Sequence, residues 1–209
     1  MYTLFWAPGT AAIAPHVLFE EFGVPHRLVR VDLAAKEHHR PEYLKINPKG
    51  RVPALVDGET VLTEAAAIGM HLADRHPEAG LAPPVGTIER ARYYQWLTYL
   101  TNTVQEAFIC WYHPDWYLAD AAMQAALKKN AEERLDKSWA LIGEAVGDGP
   151  WFLGQRYTVC DVYLTMLVRW SRNLPSPAWN QAAVGRLADR VRARPAWQRM
   201  MAAQGIVWR

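Results

Sequence analysis

The sequence predicts two parts of different class, an α/β unit followed by an all-α one. Three observations carry this. A β-prone run, a helical stretch and an alternating run succeed one another within about 30 residues, the signature of a parallel strand pair with a crossover helix. Asp57-Gly58 between two short apolar runs is a hairpin signal. Past a Pro- and Gly-rich stretch at 77–86, only helical patterns remain. The expected division is a first domain at 1–76, a linker at 77–86 and a helical domain at 87–209.

The elements follow in order. Residues 2–6 form a short apolar run suited to a buried strand. Ala7-Pro8-Gly9-Thr10 is a turn. Residues 11–22 suit a helix, with Pro15 tolerable in the first turn and Gly23 as the stop. Residues 26–33 alternate, with Val29, Val31 and Leu33 on one face, as in a half-buried strand. Polar residues 36–45 hold a short helix at most. Two strands, 53–56 and 60–62, flank the Asp57-Gly58 turn, and Thr63 or Glu64 caps a helix that Pro77 ends. The order is βαβαββα. In the second part, one helix runs from 87 to about 113 and stops at Pro114, and another runs from 120 to 146. Thr158-Val159-Cys160-Asp161 is a capping box opening a third, although Asp is shorter than the usual Glu. Residues 181–194 and 195–203 make the last two helices.

Composition narrows the function classes. Of 209 residues, 51% are apolar, enough for a sizeable core, and the net charge is +2 with the two signs interleaved. There is no Lys/Arg block, so nucleic acid is not expected. No apolar run reaches the roughly 20 residues that span a bilayer, and the start has no signal-peptide pattern, so no membrane partner is expected. Cys110 and Cys160 form no metal pattern and suit a reducing cytosol. His38-His39 is a weak lure for a metal, since adjacent histidines face apart; no metal is expected.

The chemistry concentrates in residues 47–68. Pro53 cannot donate to a sheet, and the residue before it is pushed to extended geometry. Val52 is then left with unpaired backbone groups, an adaptor for another extended chain. Glu64 opens a helix, so the amides of Ala65 and Ala66 are donors at the positive end of its dipole, suited to a carboxylate. The Glu64 carboxylate itself suits an ammonium group. Together these describe a receptor for a short peptide carrying both charges.

Asn47-Pro48-Lys49-Gly50-Arg51-Val52-Pro53-Ala54-Leu55 followed by Leu62-Thr63-Glu64-Ala65-Ala66-Ala67-Ile68 resembles the glutathione-site signature of cytosolic glutathione transferases. The order of elements is similar to their thioredoxin-like amino-terminal domain. The segment from Thr158 to Asp161 is similar to the capping box of their all-α carboxy-terminal helical bundle. Trp6-Ala7-Pro8-Gly9-Thr10 is nearest to bacterial, beta-like members. The resemblance implies that Val52 binds the cysteinyl backbone of glutathione next to a cis Pro53. It implies that Glu64 and Ala65 hold the γ-glutamyl group and that Lys36 meets the glycyl carboxylate. It implies glutathione as co-substrate, a small hydrophobic electrophile, a detoxification role, a cytoplasmic homodimer and no metal.

Family members activate the thiol with a Tyr, Ser or Cys near the first helix. Here Trp6 fills the tyrosine-like slot, and Ala11 and Ala12 fill those of the bacterial Cys and Ser. Two roles are open to Thr10. It donates to the thiolate, helped by the backbone amides of Ala11 and Ala12, or it only caps the helix. Tyr94, Thr98, Phe108, Trp111 and Tyr112 are candidates for the electrophile wall, with packing as the competing role. The expected activity is conjugation of the glutathione thiol to an electrophile. Alternatives are a non-catalytic glutathione-binding or scaffold protein, and a glutathione-dependent peroxidase or reductase.

Overall fold

A computed structural model describes residues 1–208. The chain forms two compact units, Met1–Ala82 with Arg192–Trp208, and Pro83–Val191.

In the first unit, β1 (Tyr2–Trp6) alternates, with Tyr2, Leu4 and Trp6 buried. Helix α1 (Ile13–Phe22) carries Pro15 in its first turn and ends at Gly23, whose left-handed φ of 63° lets its N–H reach the Phe19 carbonyl. β2 (His26–Arg30) pairs parallel to β1, as strand–helix–strand spacing requires. It is shorter than its alternation suggests. Asp32 turns the chain, its Oδ1 accepting from the amides of Ala34 and Ala35. A 3₁₀ turn and the one-turn helix α2 (Pro41–Leu44) occupy the polar stretch.

β3 (Ala54–Asp57) and β4 (Thr60–Thr63) form the hairpin, closed by the Asp57–Thr60 pair with Gly58 at φ 61°. The sheet order is β2-β1-β3-β4, so β3 is paired on both sides, and its pairing begins only after Pro53. Helix α3 (Ala65–Arg75) follows directly. Both α3 and α9 (Pro195–Gln204) pack on α1.

The expected boundary put residues 87–209 in the helical part. Residues Arg192–Trp208 belong with the first unit. Arg194 makes a two-bonded ion pair with Glu21 of α1 at 2.6 and 2.8 Å, and Arg199 pairs with Glu20 at 2.5 Å. Arg209, the last residue of the expected domain, lies outside the described residues.

The second unit is helical. α4 (Ile88–Tyr99) is capped by Thr87, whose hydroxyl accepts from the Arg90 amide. It runs through a π-helical stretch at Leu100–Gln105 into α5 (Glu106–Tyr112). α6 (Ala121–Val146), capped by Asp120, packs on α5. α7 (Val159–Trp170) is buried along its whole length. Its capping box forms despite the short Asp161 side chain, which accepts from the amides of Thr158 and Phe152 at 2.7 Å each. Burial pushes the Asp161 carboxyl up to about 6. α8 (Ala182–Arg192) completes the second unit. No helix among the described residues is long and apolar enough to cross a membrane.

Candidate functional site

Strand register gathers the candidate residues of the first unit. Phe5 pairs with Ala54, Ala54 with Thr63, and Trp6 with Arg30. The loop after β1, the Val52-Pro53 bend before β3, the end of β4 with the mouth of α3, and the loop after β2 therefore share one end of the sheet.

The Val52-Pro53 peptide is cis. Val52 lies outside every strand, and among the described residues its N–H and C=O make no backbone hydrogen bond. The approach to it is fixed from behind. The Arg51 carbonyl accepts from Tyr43 Oη and Asn47 Nδ2, both at 2.6 Å. Burial pushes the Tyr43 phenol up to about 12, which keeps it a donor. Asn47 is buried, and Gly50 takes φ 59° with its N–H on the Asn47 carbonyl. A Cβ on Gly50 would stand 2.8 Å from His39 Nδ1, so the turn needs glycine for space as well as for backbone sign.

Glu64 occupies the N-cap position of α3 with φ 68° and ψ 109°, a conformation that L-residues rarely adopt. Neither Glu64 nor Thr63 caps the helix with its side chain, contrary to the expectation for these two residues. Among the described residues, the first α3 amides, on Ala65 and Ala66, have no side-chain acceptor. The Glu64 carboxylate instead pairs with Lys49 Nζ at 2.8 Å, and the same ammonium reaches Thr63 Oγ1 at 3.3 Å. Both partners are more than half exposed, so the pair is worth little. Lys49 lies inside the motif read from the sequence, but its bond to Glu64 depends on register between separate strands and was missed.

Lys36 sits after β2 in the left-handed region at φ 55°, exposed. The Asp32 turn behind it, closed further by Glu37 Oε2 on the Asp32 amide at 2.8 Å, fixes where it stands.

In the loop after β1, Thr10 makes two local hydrogen bonds. Its hydroxyl donates to the Ala7 carbonyl at 2.7 Å and accepts from the Ala12 amide at 3.3 Å. A hydroxyl has one proton, and here it is spent on the loop itself. The Ala11 amide has no hydrogen-bond partner among the described residues and stands where α1 begins. Trp6 is buried, and its indole N–H has no hydrogen-bond partner among the described residues. Gly9, next in the loop, donates its amide to Gln204 Oε1 at 3.2 Å, a link to α9 with no local sequence signal.

The electrophile candidates lie in the second unit and do not share one face. The Phe108 ring is fully buried among Tyr112, Trp139 and Trp170. Trp111 donates to Glu132 of α6 at 2.8 Å, and Tyr112 donates to the Trp170 carbonyl at 2.6 Å. Tyr94 and Thr98, one turn apart on α4, are exposed. Cys110 and Cys160 are buried free thiols whose pKa values burial raises, which leaves them poor nucleophiles.

A four-stranded mixed sheet with a cis proline at one end, in βαβαββα order and joined to a helical unit, defines a two-part thioredoxin-like fold. The family model for the glutathione S-transferase amino-terminal domain matches residues 1–74. Glutathione S-transferase GstA of Escherichia coli O157:H7 is 33% identical over 97% of this chain and 98% of its own. A disulfide-bond oxidoreductase, YfcG of Escherichia coli K12, is 29% identical over 94% and 92% of the two chains. A glutathione transferase homologue from Sulfitobacter, solved with bound glutathione, superposes with a TM-score of 0.90 at 27% identity, covering 99% of each chain. The chain belongs to the glutathione transferase family.

Proposed function

We propose that this chain is a glutathione transferase that conjugates the glutathione thiol to a small hydrophobic electrophile. The observation that supports it most is the convergence, at one sheet end, of an unpaired residue before a cis proline and two helix mouths without side-chain caps. In this reading Val52 exchanges hydrogen bonds with the cysteinyl backbone. Glu64 takes the γ-glutamyl ammonium, displacing or sharing Lys49, and the amides of Ala65 and Ala66 take its carboxylate. Lys36 meets the glycyl carboxylate. The sulfur then lies against the start of α1, near the Ala11 N–H.

A free thiol with a pKa near 8.5 is only a few per cent ionised at pH 7. A backbone donor plus the positive end of a helix lowers that value and raises the nucleophile's population. The thiol proton leaves to solvent, the thiolate forms a thioether with the electrophile, and the leaving group departs with the bonding pair. Because Thr10 spends its proton on Ala7, the Ala11 amide is assigned the activating role and Thr10 that of holding the loop. A cytoplasmic homodimer is part of the same reading.

The same thiolate can attack an external disulfide, giving a mixed disulfide and a released thiolate, without any protein thiol. The relationship to YfcG favours keeping this as a second reading. The test is a titration with glutathione followed by ultraviolet absorbance of the thiolate near neutral pH, then turnover with a panel of electrophiles and one disulfide. Ionised, bound glutathione with electrophile turnover supports conjugation, and turnover of the disulfide alone transfers the case to reduction. Binding without ionisation leaves a carrier, and no binding leaves a scaffold; either overturns the proposal.

A further inference from the structure

His16 is fully buried on α1, and its Nε2 has no hydrogen-bond partner among the described residues. The tautomer is set from the other side of the ring. Gly9 N–H is a donor only and points at Gln204 Oε1. The Gln204 NH₂ therefore faces His16 Nδ1, at 3.1 Å, and Nδ1 accepts. The ring proton is left on Nε2, buried and unused.

Two more ligating groups face that nitrogen. Glu20, one helical turn on, places Oε1 4.0 Å away. His26, at the start of β2, completes a trio whose ligand atoms all lie within 4.8 Å of one another. His26 Nδ1 donates to the Val24 carbonyl at 2.9 Å, so its Nε2 presents a lone pair. Its ring stacks on Phe19 with centroids 4.7 Å apart, which holds its orientation. The second oxygen of Glu20 is held by Arg199, leaving Oε1 to the trio.

We propose that His16 Nε2, Glu20 Oε1 and His26 Nε2 bind one divalent transition cation of the zinc class, and that Gln204 couples its occupancy to the loop bearing Gly9. Two imidazoles and a carboxylate, with water in the fourth position, are a donor set zinc accepts. Tetrahedral zinc with bonds of about 2.0–2.1 Å sets neighbouring ligand atoms roughly 3.3 Å apart. The trio must contract by about an ångström. Glu20 and His26 are only half-buried and supply that movement, while His16 stays fixed. Arg199 opposes the cation by charge but is more than half exposed, where solvent screens it.

The coupling follows from proton placement. To ligate through Nε2, His16 must carry its proton on Nδ1, with no net proton lost. That Nδ1–H needs an acceptor, so the Gln204 amide must turn its oxygen to it and away from Gly9. Cation binding and the Gly9–Gln204 bond are thus mutually exclusive. The cation takes no part in conjugation, and the site stands whether or not the preceding functional reading does.

The test is a zinc titration of the metal-free full chain against a chromogenic chelator, with folding checked by circular dichroism. One zinc per chain is expected, with affinity lowered more than tenfold in both Glu20→Gln and His26→Ala. Gln204→Glu should tighten binding about tenfold or more, because a carboxylate accepts from Gly9 N–H and His16 Nδ1–H at once, removing the competition. In the nitrogen–proton spectrum, the Gly9 amide should shift on adding zinc to the native chain and not to His26→Ala. Equal affinity in the native chain and His26→Ala overturns the site. A folded Gln204→Glu variant that binds no tighter overturns the coupling; if that variant does not fold, an unmoved Gly9 amide does so.

Discussion

Replacing Glu64 by glycine should push stability and ligand binding in opposite directions. Glu64 holds φ 68° with an L side chain, outside the comfortable regions. Such a conformation costs about 1–3 kcal/mol, and glycine relieves it at an entropic cost of about 0.5–1 kcal/mol in the unfolded chain. The lost Lys49 ion pair is exposed and worth at most about 1 kcal/mol. Relative to Glu64→Ala, which loses the same ion pair, stability should therefore hold or rise, by up to about 2.5 kcal/mol, read as a shift in the urea midpoint. Binding loses a charge-assisted hydrogen bond to the ligand ammonium, worth about 1.5–3 kcal/mol. Part of that is returned because the ligand no longer competes with Lys49, leaving a glutathione dissociation constant about five- to thirtyfold weaker by calorimetry. Glu64→Ala, which keeps the strain, should lose the same affinity without the gain. An unchanged dissociation constant would remove Glu64 from the site. A urea midpoint for the glycine variant below that of Glu64→Ala would refute the strain argument.

Further expectations concern the loop after β1 and the second unit. Thr10→Val should leave the ionisation of bound glutathione unchanged by ultraviolet titration while costing about 1 kcal/mol of stability, since the hydroxyl serves Ala7 and Ala12; a rise of a full pKa unit would return the thiolate to Thr10. Ala11→Ser supplies a hydroxyl beside the proposed sulfur position and should raise kcat/KM by about tenfold or more with a reactive aryl halide; no change would place the sulfur elsewhere. Asp161→Ala leaves two buried amides without their acceptor and should destabilise the protein by about 2–5 kcal/mol in urea. Asp161→Asn, with one acceptor oxygen, should recover only part of that. Burial holds the folded-state pKa at about 6, above the ordinary value of 3.8, so the native protein binds the extra proton in that window. The Asp161 contribution should then grow as pH falls from about 6 to 4, and a destabilisation by Asp161→Ala that shrinks over that range would contradict it.

What was legible in the sequence was local. Asp57-Gly58 announced a hairpin because few residues accept a positive φ there, and Thr158 with Asp161 announced a helix start because the cap is made within four residues. The bend at Val52-Pro53 was legible because proline removes a donor whatever surrounds it. The rest depended on partners far along the chain. Gln204 meets His16 across 188 positions, and nothing near either residue marks the pairing. Phe108 and Tyr94 have similar aromatic character, but which faces the core depends on how α5 meets α6 and α7, which helical spacing alone does not resolve. Thr10 was ambiguous for a subtler reason: hydroxyl residues have the same composition signal whether the proton goes to a ligand or to a carbonyl three residues back.

The packing of α9 on α1 has a bearing on biosynthesis. The sheet end that holds Val52, Glu64 and Ala11 is encoded early, yet Gln204, Arg194 and Arg199, which brace α1 from outside, are translated roughly a hundred residues after Ala82. A nascent amino-terminal segment leaves the ribosome with the outer flank of its first helix bare and His16 unshielded. It must wait, through synthesis of the whole second unit, for the stretch that seals it.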